Sequence, residues 1–308
     1  MVNRTVDVII VASNSEEVIG PCLETLQSAA GDCVLRVTVV DNASAADISP
    51  YIAGTGVPVT VLRRPKNLGY AAGNNAAIRA ILDSSNPEPS AILILNPDVR
   101  LSPRSIERLL RFLNETPSCG AISPTTPQRG HATRSLWGWP IAQPRGDGSL
   151  ARTDRLPGFC MLVRPEVFRR VGLFDETYFL YWEEVDFCLR ARKAGFDLLI
   201  ARFVPVTHGA EKETRPKTHR TYYMWRNQFP FAMKNFGRIE GMVFLARRLL
   251  VANLLEILRS LVRGEFRHIG CGFAGLAAGF RQESGPSPSR FAAVDLGPLS
   301  RLRERRPV

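Results

Sequence analysis

The sequence predicts an α/β fold in which a mostly parallel sheet is flanked by helices. Short runs rich in Val and Ile recur through the first hundred residues, and such runs are typical of strands buried on both faces of a sheet. Segments with apolar residues at helical spacing lie between these runs. Strands that alternate with helices favour a doubly wound sheet, which binds its ligands beyond the carboxyl ends of the strands.

The elements of the first third of the chain follow from these patterns. We expect four strands at residues 6–11, 37–40, 57–62 and 91–95. We expect three helices at residues 16–30, 71–82 and 102–113. Ser102 is suited to be the N-cap of the last of these helices, with Pro103 at its first position.

The middle of the chain alternates less regularly. Residues 125–155 are rich in Pro, Gly and Arg, and we expect a long loop or flap there. Beyond it we expect, in order, a strand at residues 157–163, a helix at 165–171, a helix from about 183 and a last strand from 196 that ends near 208.

Composition and charge limit the class of function. The chain has 308 residues, of which 45% are hydrophobic and 22% charged, so collagen-like, low-complexity and wholly disordered proteins are excluded. Its net charge of +11 is concentrated after residue 200, where 19 basic residues face 8 acidic ones. An excess of this kind suits a nucleic acid or an anionic lipid surface.

The sequence also predicts a cellular compartment. Six cysteines are scattered without zinc-binding spacing, as expected of buried thiols in a reducing environment. The first residues lead into a strand rather than a secretory signal, and no run of about 18 uncharged apolar residues offers a membrane span. We therefore expect a cytoplasmic protein that is peripheral on the inner face of the cell membrane.

Polar residues cluster where the predicted strands end. Ser13 and Asn14 follow the first strand, Asp41 follows the second, and residues 96–98 follow the fourth. The segment 67–75, which is rich in glycines and amides, precedes the second helix. The carboxyl ends of parallel strands meet at one edge of a sheet, so the sequence predicts a single binding site there.

Seven segments together carry a resemblance to a known family. They are residues 11–15, 40–44, 67–75, 95–99, 158–164, 174–190 and 206–208. In order and spacing they resemble the inverting glycosyltransferases of family 2, which have the GT-A fold, and in particular the bacterial branch that contains rhamnosyltransferases. The resemblance covers about residues 5–236. It implies a catalytic domain over 1–236, with a donor-binding half at about 1–124 and an acceptor-binding, catalytic half at about 156–236.

The resemblance implies a nucleotide-sugar donor and the residues that bind it. Asp41 would contact the base or the ribose, and the segment 67–75 would bring amide donors close to the nucleotide. The implied donor-binding residues are Ser13, Asn14, Asp41, Asn67, Gly69, Asn74 and Asn96. The branch points to dTDP-L-rhamnose, with UDP-linked galactofuranose or N-acetylglucosamine as alternatives. The implied acceptor is a hydroxyl of a glycan or of a lipid-linked molecule in cell-envelope polysaccharide synthesis.

The resemblance also implies a divalent cation, Mg²⁺ or Mn²⁺. The Asp-x-Asp motif of the family has its counterpart in Asn96-Pro97-Asp98, where Asn96 offers a neutral amide oxygen. Asp98 and His208 are the implied protein ligands of the cation, which would neutralise the leaving nucleoside diphosphate. An imidazole ligand favours Mn²⁺ somewhat over Mg²⁺.

An acidic run is suited to supply the general base that inversion at the anomeric carbon requires. Glu183, Glu184 and Asp186 stand at a predicted helix N-terminus, where the helix dipole favours ionised carboxylates. The resemblance assigns the base to Glu184, where the family usually has Asp, and gives Glu183 and Asp186 supporting roles. Gly158 and Trp182 are implied at the acceptor, with the Trp182 indole as an apolar wall for a sugar face.

Other functions have to be distinguished from transfer. Asn96, in place of the first aspartate of the motif, also suits a catalytically silent nucleotide-sugar-binding protein of a membrane complex. A nucleic acid is disfavoured as a partner, because no zinc-finger spacing or RNA-binding aromatic motif accompanies the basic tail. A dehydrogenase is disfavoured because no Gly-x-Gly-x-x-Gly follows the first strand. The sequence does not indicate an oligomeric state.

The last part of the chain predicts contact with a membrane surface. Residues 241–280 combine apolar and arginine residues in the composition of an interfacial amphipathic helix, and we expect an amphipathic helical extension over residues 237–285. This extension would lie on an anionic membrane, or it would pack on the catalytic domain with a solvated basic face. Residues 286–308 are expected to be poorly ordered.

Overall fold

The computed structural model describes residues 4–125, 144–145, 149–209 and 217–288. The chain forms two compact units, one of Met1–Glu176 with Glu183–Ala210 and the other of Thr177–Trp182 with Glu211–Val308. This division differs from the boundary expected after residue 236, because the helices that follow residue 216 pack with the C-terminal helices.

The first unit is built on a mixed, mostly parallel sheet. Its strands are β1 Thr5–Ala12, β2 Val34–Asn42, β3 Val59–Arg64, β4 Ala91–Leu95, β5 Val99–Leu101, β6 Cys119–Thr125, β7 Pro144–Arg145, β8 Leu150–Arg152, β9 Cys160–Val163 and β10 Asp197–His208. The strand order is β3-β2-β1-β4-β9-β6-β10-β8-β7, and β5 pairs with β10 outside this path. Neighbours among β1 to β4 are parallel, as are β6 and β10, whereas β9 runs antiparallel to both β4 and β6. The predicted α/β sheet is therefore confirmed.

Helices flank this sheet, and all except the short one at Ser49–Ile52 lie close to the predicted positions. They are α1 Glu16–Ala30, α2 Ser49–Ile52, α3 Tyr70–Leu82, α4 Ser105–Glu115, α5 Pro165–Val171 and α6 Glu183–Lys193. The prediction of Ser102 as the N-cap of α4 is wrong. Arg104 occupies that position with a φ of 56°, and the Ser102 hydroxyl instead donates to the carbonyl oxygen of Pro205 at 2.8 Å. That bond to β10 keeps Ser102 outside the helix.

The expected flap over residues 125–155 is only partly irregular. Leu150–Arg152 forms β8 and pairs antiparallel with β10, with Ala151 opposite Ile200. Residues 126–143 and 146–148 of the predicted flap lie outside the described part of the chain.

The core of the first unit consists of two apolar clusters, one for each face of the sheet. Alternate residues of β1 divide between them, since Val8 and Ile10 belong to one cluster and Ile9 and Val11 to the other. Each fully buried aliphatic side chain of this kind contributes about 1.5–3 kcal/mol relative to exposure. The six cysteines are free thiols, and all except Cys33 are buried, as the sequence predicted.

The second unit is helical in its described residues. Its helices are α7 Lys217–Arg226, α8 Gln228–Asn235, α9 Arg238–Arg247, a π-helical segment Arg248–Asn253, α10 Leu254–Val262 and α11 Phe266–Phe280. The extension consists of several helices, and Gly264 turns the chain between α10 and α11 with a φ of 69°. Within the described ranges, no helix combines the length and apolarity that a membrane crossing requires.

Glycines allow α11 to lie directly on α7. A Cβ at Gly275 would stand 2.3 Å from the carbonyl oxygen of Tyr222, and one at Gly279 would stand 2.3 Å from that of Arg226. Only the absence of a side chain permits this approach. The chain after α11 is also anchored, because the backbone N–H of Ser287 donates to the Tyr223 hydroxyl at 2.6 Å. Residues 286–288 therefore depart from the predicted disorder, and residues 289–308 lie outside the described part of the chain.

The segment 177–182 of the second unit contains a strained turn. Tyr181 and Trp182 have φ angles of 64° and 80°, which side chains other than glycine rarely adopt. The buried Asn227 amide donates to the carbonyl oxygens of Leu180 and Tyr181 at 2.9 and 2.8 Å. These two bonds hold the turn in its unusual conformation.

Candidate active site

The loops at the carboxyl ends of β1 and β2 are joined by an amide network. Asn42, the last residue of β2, donates through Nδ2 to Asn67 Oδ1 at 2.9 Å and to the Gly69 carbonyl oxygen at 3.0 Å. Asn67 donates through Nδ2 to the Ser13 hydroxyl oxygen at 3.1 Å and accepts the N–H of Gly69 at 2.9 Å. Ser13, Asn67 and Gly69 are therefore brought together, as the sequence predicted. Asn42 was not among the predicted site residues, although its position beside Asp41 is a signal that could have found it.

Asp41 and Asn14 lie in the same pair of loops. Asp41 is buried, and its Oδ1 accepts the backbone N–H of Ser44 at 2.9 Å. Asn14 accepts the N–H of Ala45 through Oδ1 at 2.8 Å and donates its own N–H to the Ser44 hydroxyl oxygen at 3.1 Å. These bonds fix the backbone around the carboxylate that the sequence assigns to the base or ribose of a donor.

Asn74 is placed differently from the expectation. Its side chain is fully buried within α3, where Nδ2 donates to the carbonyl oxygen of Tyr70 at 2.9 Å. The direct donor contact expected of Asn74 is therefore not supported. The side chain instead fixes the first turn of α3, which begins at Tyr70.

Asp98 and His208 are neighbours at the edge of the sheet. The short strand β5 pairs antiparallel with the end of β10, so that Val99 faces His208 in register. This pairing brings His208 Nε2 to 3.5 Å from Asp98 Oδ1. The imidazole also stacks on the Phe159 ring, with 4.5 Å between ring centroids and an interplanar angle of 15°.

The residues at this edge fit a divalent cation. Asp98 offers a carboxylate and His208 an imidazole, and both belong to the ligand types that Mn²⁺ accepts. Asn96 adds a buried Oδ1 that has no hydrogen-bond partner among the described residues. In the part of the chain that the structure describes, no three His, Cys, Asp or Glu side chains form a metal-binding group.

The acidic run stands at the N-terminus of α6 as predicted. Glu183 is 4% exposed, and Glu184 beside it is half-buried. Burial, and then the negative charge of Glu184, hold the pKa of the Glu183 carboxyl well above its usual range. Gly158 lies against Glu184, because a Cβ at Gly158 would stand 3.4 Å from the Cβ of Glu184.

Asp186 has a structural partner that accounts for its burial. The carboxylate is fully buried, and its Oδ2 accepts Nε of Arg190 at 2.8 Å, one turn along α6. Arg190 in turn donates to the carbonyl oxygens of Val171, the last residue of α5, and of Leu173 just beyond it. Asp186 therefore ties α6 to the end of α5, and the expected hydrogen bond from Asp186 to an acceptor is not supported. The i, i+4 spacing of Asp186 and Arg190 is a sequence signal for this pair.

Trp182 packs within the second unit. Its indole Nε1 donates to the carbonyl oxygen of Met224 at 3.1 Å, and its ring contacts those of Phe231 and Phe244. The Arg248 guanidinium lies over the same ring, 5.4 Å from its centroid. These contacts account for the indole, and the apolar sugar-binding wall expected from Trp182 is not supported by them.

The Tyr70 hydroxyl lies near both the acidic run and Asp98. Burial raises the pKa of the Tyr70 phenol well above its usual value, and the negative charges of Glu183, Glu184 and Asp98 raise it further. The three carboxylates thus lie within electrostatic range of one hydroxyl. The sequence predicted a helix from residue 71 but no role for Tyr70, because the position of the Tyr70 hydroxyl depends on contacts far apart in the chain.

Comparisons with known proteins identify relatives of this chain. The chain is similar to the low-salt glycan biosynthesis hexosyltransferase Agl10 of Haloferax volcanii, with 27% identity over 84% of this chain and 86% of that protein. It is similar to the N-acetylglucosaminyl-diphospho-decaprenol L-rhamnosyltransferase of Mycobacterium tuberculosis, with 32% identity over 58% of this chain and 68% of that protein.

A solved structure shares the fold. The mannosyltransferase PcManGT from Pyrobaculum calidifontis, in complex with GDP-Man and Mn²⁺, superimposes with a TM-score of 0.60 at 16% identity, over 91% of this chain and 86% of that one. The first unit therefore has the GT-A fold. The family model of glycosyl transferase family 2 matches residues 7–172, which is more than half of the chain. The chain belongs to glycosyltransferase family 2.

Proposed function

We propose that this glycosyltransferase moves a sugar with inversion from a nucleotide-sugar donor to a hydroxyl of a glycan or lipid-linked acceptor. The observation that carries the proposal is the common neighbourhood of Glu184 and the pair of Asp98 and His208. Gly158 lies against Glu184, and the next residue, Phe159, stacks on His208, which lies 3.5 Å from Asp98. A general base and a diphosphate site have to lie close together when a single displacement at the anomeric carbon is catalysed.

Glu184 is the proposed general base. Burial, and then the negative charge of Glu184, raise the pKa of Glu183 and so favour its protonated form, which supports Glu184 rather than Glu183 as the base. The N-terminus of α6 favours that charge. Glu184 would accept the proton of the acceptor hydroxyl while the acceptor oxygen bonds to the anomeric carbon. The bond to the nucleoside diphosphate breaks on the opposite face, so that the configuration inverts.

Asp98 and His208 are the proposed ligands of a divalent cation, with Asn96 beside them. When bound, such a cation supplies a positive charge that neutralises the leaving diphosphate. Two side chains of different type, 3.5 Å apart, support this assignment. The Mn²⁺ in the complex of PcManGT also supports it. Asp41 and the loops joined by Asn42 would hold the nucleoside.

We propose L-rhamnose from dTDP-rhamnose as the sugar and donor, and cell-envelope polysaccharide synthesis as the setting. The name of the Mycobacterium tuberculosis relative supports both the rhamnosyl group and a polyprenyl diphosphate-linked acceptor. A panel of nucleotide sugars tests this proposal, first by thermal stabilisation of the protein with Mn²⁺ and then by release of nucleoside diphosphate with candidate acceptors. Stabilisation by dTDP-rhamnose and release with a lipid-linked glycan is the expected result.

The same panel distinguishes the alternative, a catalytically silent nucleotide-sugar-binding protein of a membrane complex. Such a protein would be stabilised by a donor, yet it would release no nucleoside diphosphate with any acceptor. Stabilisation by a UDP-sugar alone would overturn the choice of donor while leaving transfer intact.

Peripheral association with an anionic membrane is proposed for the second unit. Ten large apolar residues of α9, α10 and the segment between them are 45–90% exposed, and we call this set the α9–α10 apolar surface: Ile239, Met242, Val243, Leu250, Val251, Leu254, Leu255, Leu258, Leu261 and Val262. Glu256 points to the other side of α10, where it accepts the Thr221 hydroxyl at 2.8 Å and the Trp225 Nε1–H at 2.9 Å. Exposed Arg259 and Arg263 flank the surface and suit anionic headgroups.

A further inference from the structure

Tyr70 is held in place by the donor-side loops. Gly69, which precedes it, has a φ of 92°, accepts Asn42 Nδ2 through its carbonyl oxygen and donates its N–H to Asn67 Oδ1. The Tyr70 carbonyl oxygen accepts Asn74 Nδ2 at 2.9 Å. The backbone of Tyr70 is thus fixed on both sides, at the first turn of α3.

The Tyr70 side chain ends on the backbone that precedes β9. Its hydroxyl donates to the Gly158 carbonyl oxygen at 2.8 Å, and the two residues are 88 positions apart in the chain. Because burial and three nearby carboxylates raise the pKa of the phenol, Tyr70 remains a neutral donor throughout the range in which carboxylates ionise. It can hold a carbonyl among carboxylates without adding a charge to the site.

The backbone at residues 158–159, to which Tyr70 is hydrogen-bonded, contacts both the proposed base and the proposed cation site. Gly158 lies against the Cβ and Cγ of Glu184, with 3.4 and 3.5 Å to a Cβ built at Gly158. Phe159, the next residue, accepts the N–H of Asn96 through its carbonyl oxygen at 2.8 Å and stacks its ring on His208. A shift of residues 158–159 would therefore move Glu184 relative to the pair of Asp98 and His208.

We propose that Tyr70 is a positioning residue for the transfer reaction: its hydroxyl fixes the Gly158 carbonyl and thereby sets the distance between Glu184 and the Asp98–His208 edge. The inference rests on the proposed function of Glu184 as base. Displacing a reacting group by about 1 Å can cost 10²-fold in rate, so one hydrogen bond at this point has a large effect on turnover.

Tyr70→Phe tests the proposal because it keeps the ring and removes only the donor. With the donor and acceptor that support turnover, kcat should fall by about 10–10²-fold while KM for the donor changes less than about twofold. A rise in KM at unchanged kcat would mean that the hydroxyl binds substrate, and it would overturn the proposal. Tyr223→Phe is the matched control, because it removes a tyrosine hydrogen bond, to Ser287, within the second unit.

A double-mutant cycle separates this inference from the proposed function. If Tyr70 acts through Glu184, the variant with both Tyr70→Phe and Glu184→Gln should be no slower than Glu184→Gln alone. If the double variant is instead slower than Glu184→Gln by the full factor that Tyr70→Phe costs alone, the positioning role is overturned. Near-normal activity of Glu184→Gln would instead overturn the proposed base, whatever Tyr70→Phe does.

Amide hydrogen exchange gives a readout that needs no turnover. In Tyr70→Phe, peptides covering residues 156–163 and the Asn96 amide should exchange roughly fivefold faster, the effect of losing one hydrogen bond. Peptides of α7 and α11 should not change. Equal exchange of residues 156–163 in Tyr70→Phe and in the unsubstituted protein would overturn the proposal.

Discussion

His208 Nε2 lies 3.5 Å from Asp98 Oδ1, and the pairing of β5 with β10 holds the two side chains at that separation. The Gly209 N–H strengthens the arrangement by donating to the Asp98 backbone carbonyl oxygen at 3.3 Å. A carboxylate and an imidazole fixed on adjacent strands are suited to share one cation.

We expect Asp98→Ala to lower kcat by about 10³-fold or more, because the charge on the leaving diphosphate would lose its counter-charge. Chelation should have the same effect, and added Mn²⁺ should reverse it in the unsubstituted protein but not in Asp98→Ala. Asp47→Ala, which removes an exposed carboxylate paired with Arg63, is the control. Full turnover of Asp98→Ala in metal-free buffer would refute the cation site.

Asp41→Ala should weaken donor binding rather than the chemical step. Loss of a hydrogen bond to a charged group typically costs about 1.5–3 kcal/mol, so the dissociation constant of the nucleoside diphosphate should rise about 10–100-fold. Isothermal titration with dTDP and Mn²⁺ measures it. Because Asp41 also accepts the Ser44 N–H, Asp41→Asn is the companion variant that keeps an acceptor for this backbone bond and removes only the charge. An unchanged dissociation constant in Asp41→Ala would remove Asp41 from the donor site.

Glu183 predicts a pH dependence of stability. Its pKa is raised in the folded protein, so the folded state favours the protonated carboxyl, and stability is lost as pH rises from the unfolded value toward the folded one. Glu183→Gln mimics the protonated form. Its stability relative to the unsubstituted protein should therefore increase by up to about 1 kcal/mol per pH unit above about pH 4.5. Urea unfolding between pH 4 and pH 8 measures this difference, and a constant difference would show that Glu183 ionises freely when folded.

The α9–α10 apolar surface predicts salt-dependent lipid binding. Sedimentation with phosphatidylglycerol vesicles should capture the protein at low salt and much less at about 1 M salt, where the Debye length is about 3 Å. Replacing Leu250 and Leu258 with Ser should weaken capture at every salt concentration, because both side chains are exposed on this surface. Phe273→Ser on α11 is the control outside it. Failure to bind anionic vesicles at low salt would contradict the membrane proposal.

The sheet could be predicted from the sequence because its signals are local. Runs such as β1 and β4 are apolar at every position, since both faces of the strands are covered, and the alternation with helices then fixes the class of fold. Asp98 and His208 were named because their motifs match those of the family, and the structure places them 3.5 Å apart, while their role as cation ligands stays a prediction. Ser102 misled the prediction, since its bond to Pro205 joins residues 103 positions apart, which no local pattern reveals.

The parts of the site that the sequence missed depend on distant partners. Asn42, at the end of β2, donates to Asn67 and Gly69 in the loop before α3. The Tyr70 hydroxyl donates to the Gly158 carbonyl oxygen, 88 residues further along the chain. The sequence around such an amide or phenol does not distinguish it from other polar residues. The sequence likewise does not show that the Asn74 side chain is buried, which is why Asn74 was predicted to bind the donor.

The rate of Glu184→Gln tests the central claim most directly. Loss of a general base typically costs 10²–10⁴-fold, and the loss should fall on kcat while the dissociation constant of the donor nucleotide stays within about twofold. Glu184→Asp should retain more activity than Glu184→Gln, because it keeps an ionisable carboxylate at the N-terminus of α6. Near-normal turnover of Glu184→Gln, with a larger loss in Glu183→Gln or Asp186→Asn, would contradict the assignment of the base to Glu184.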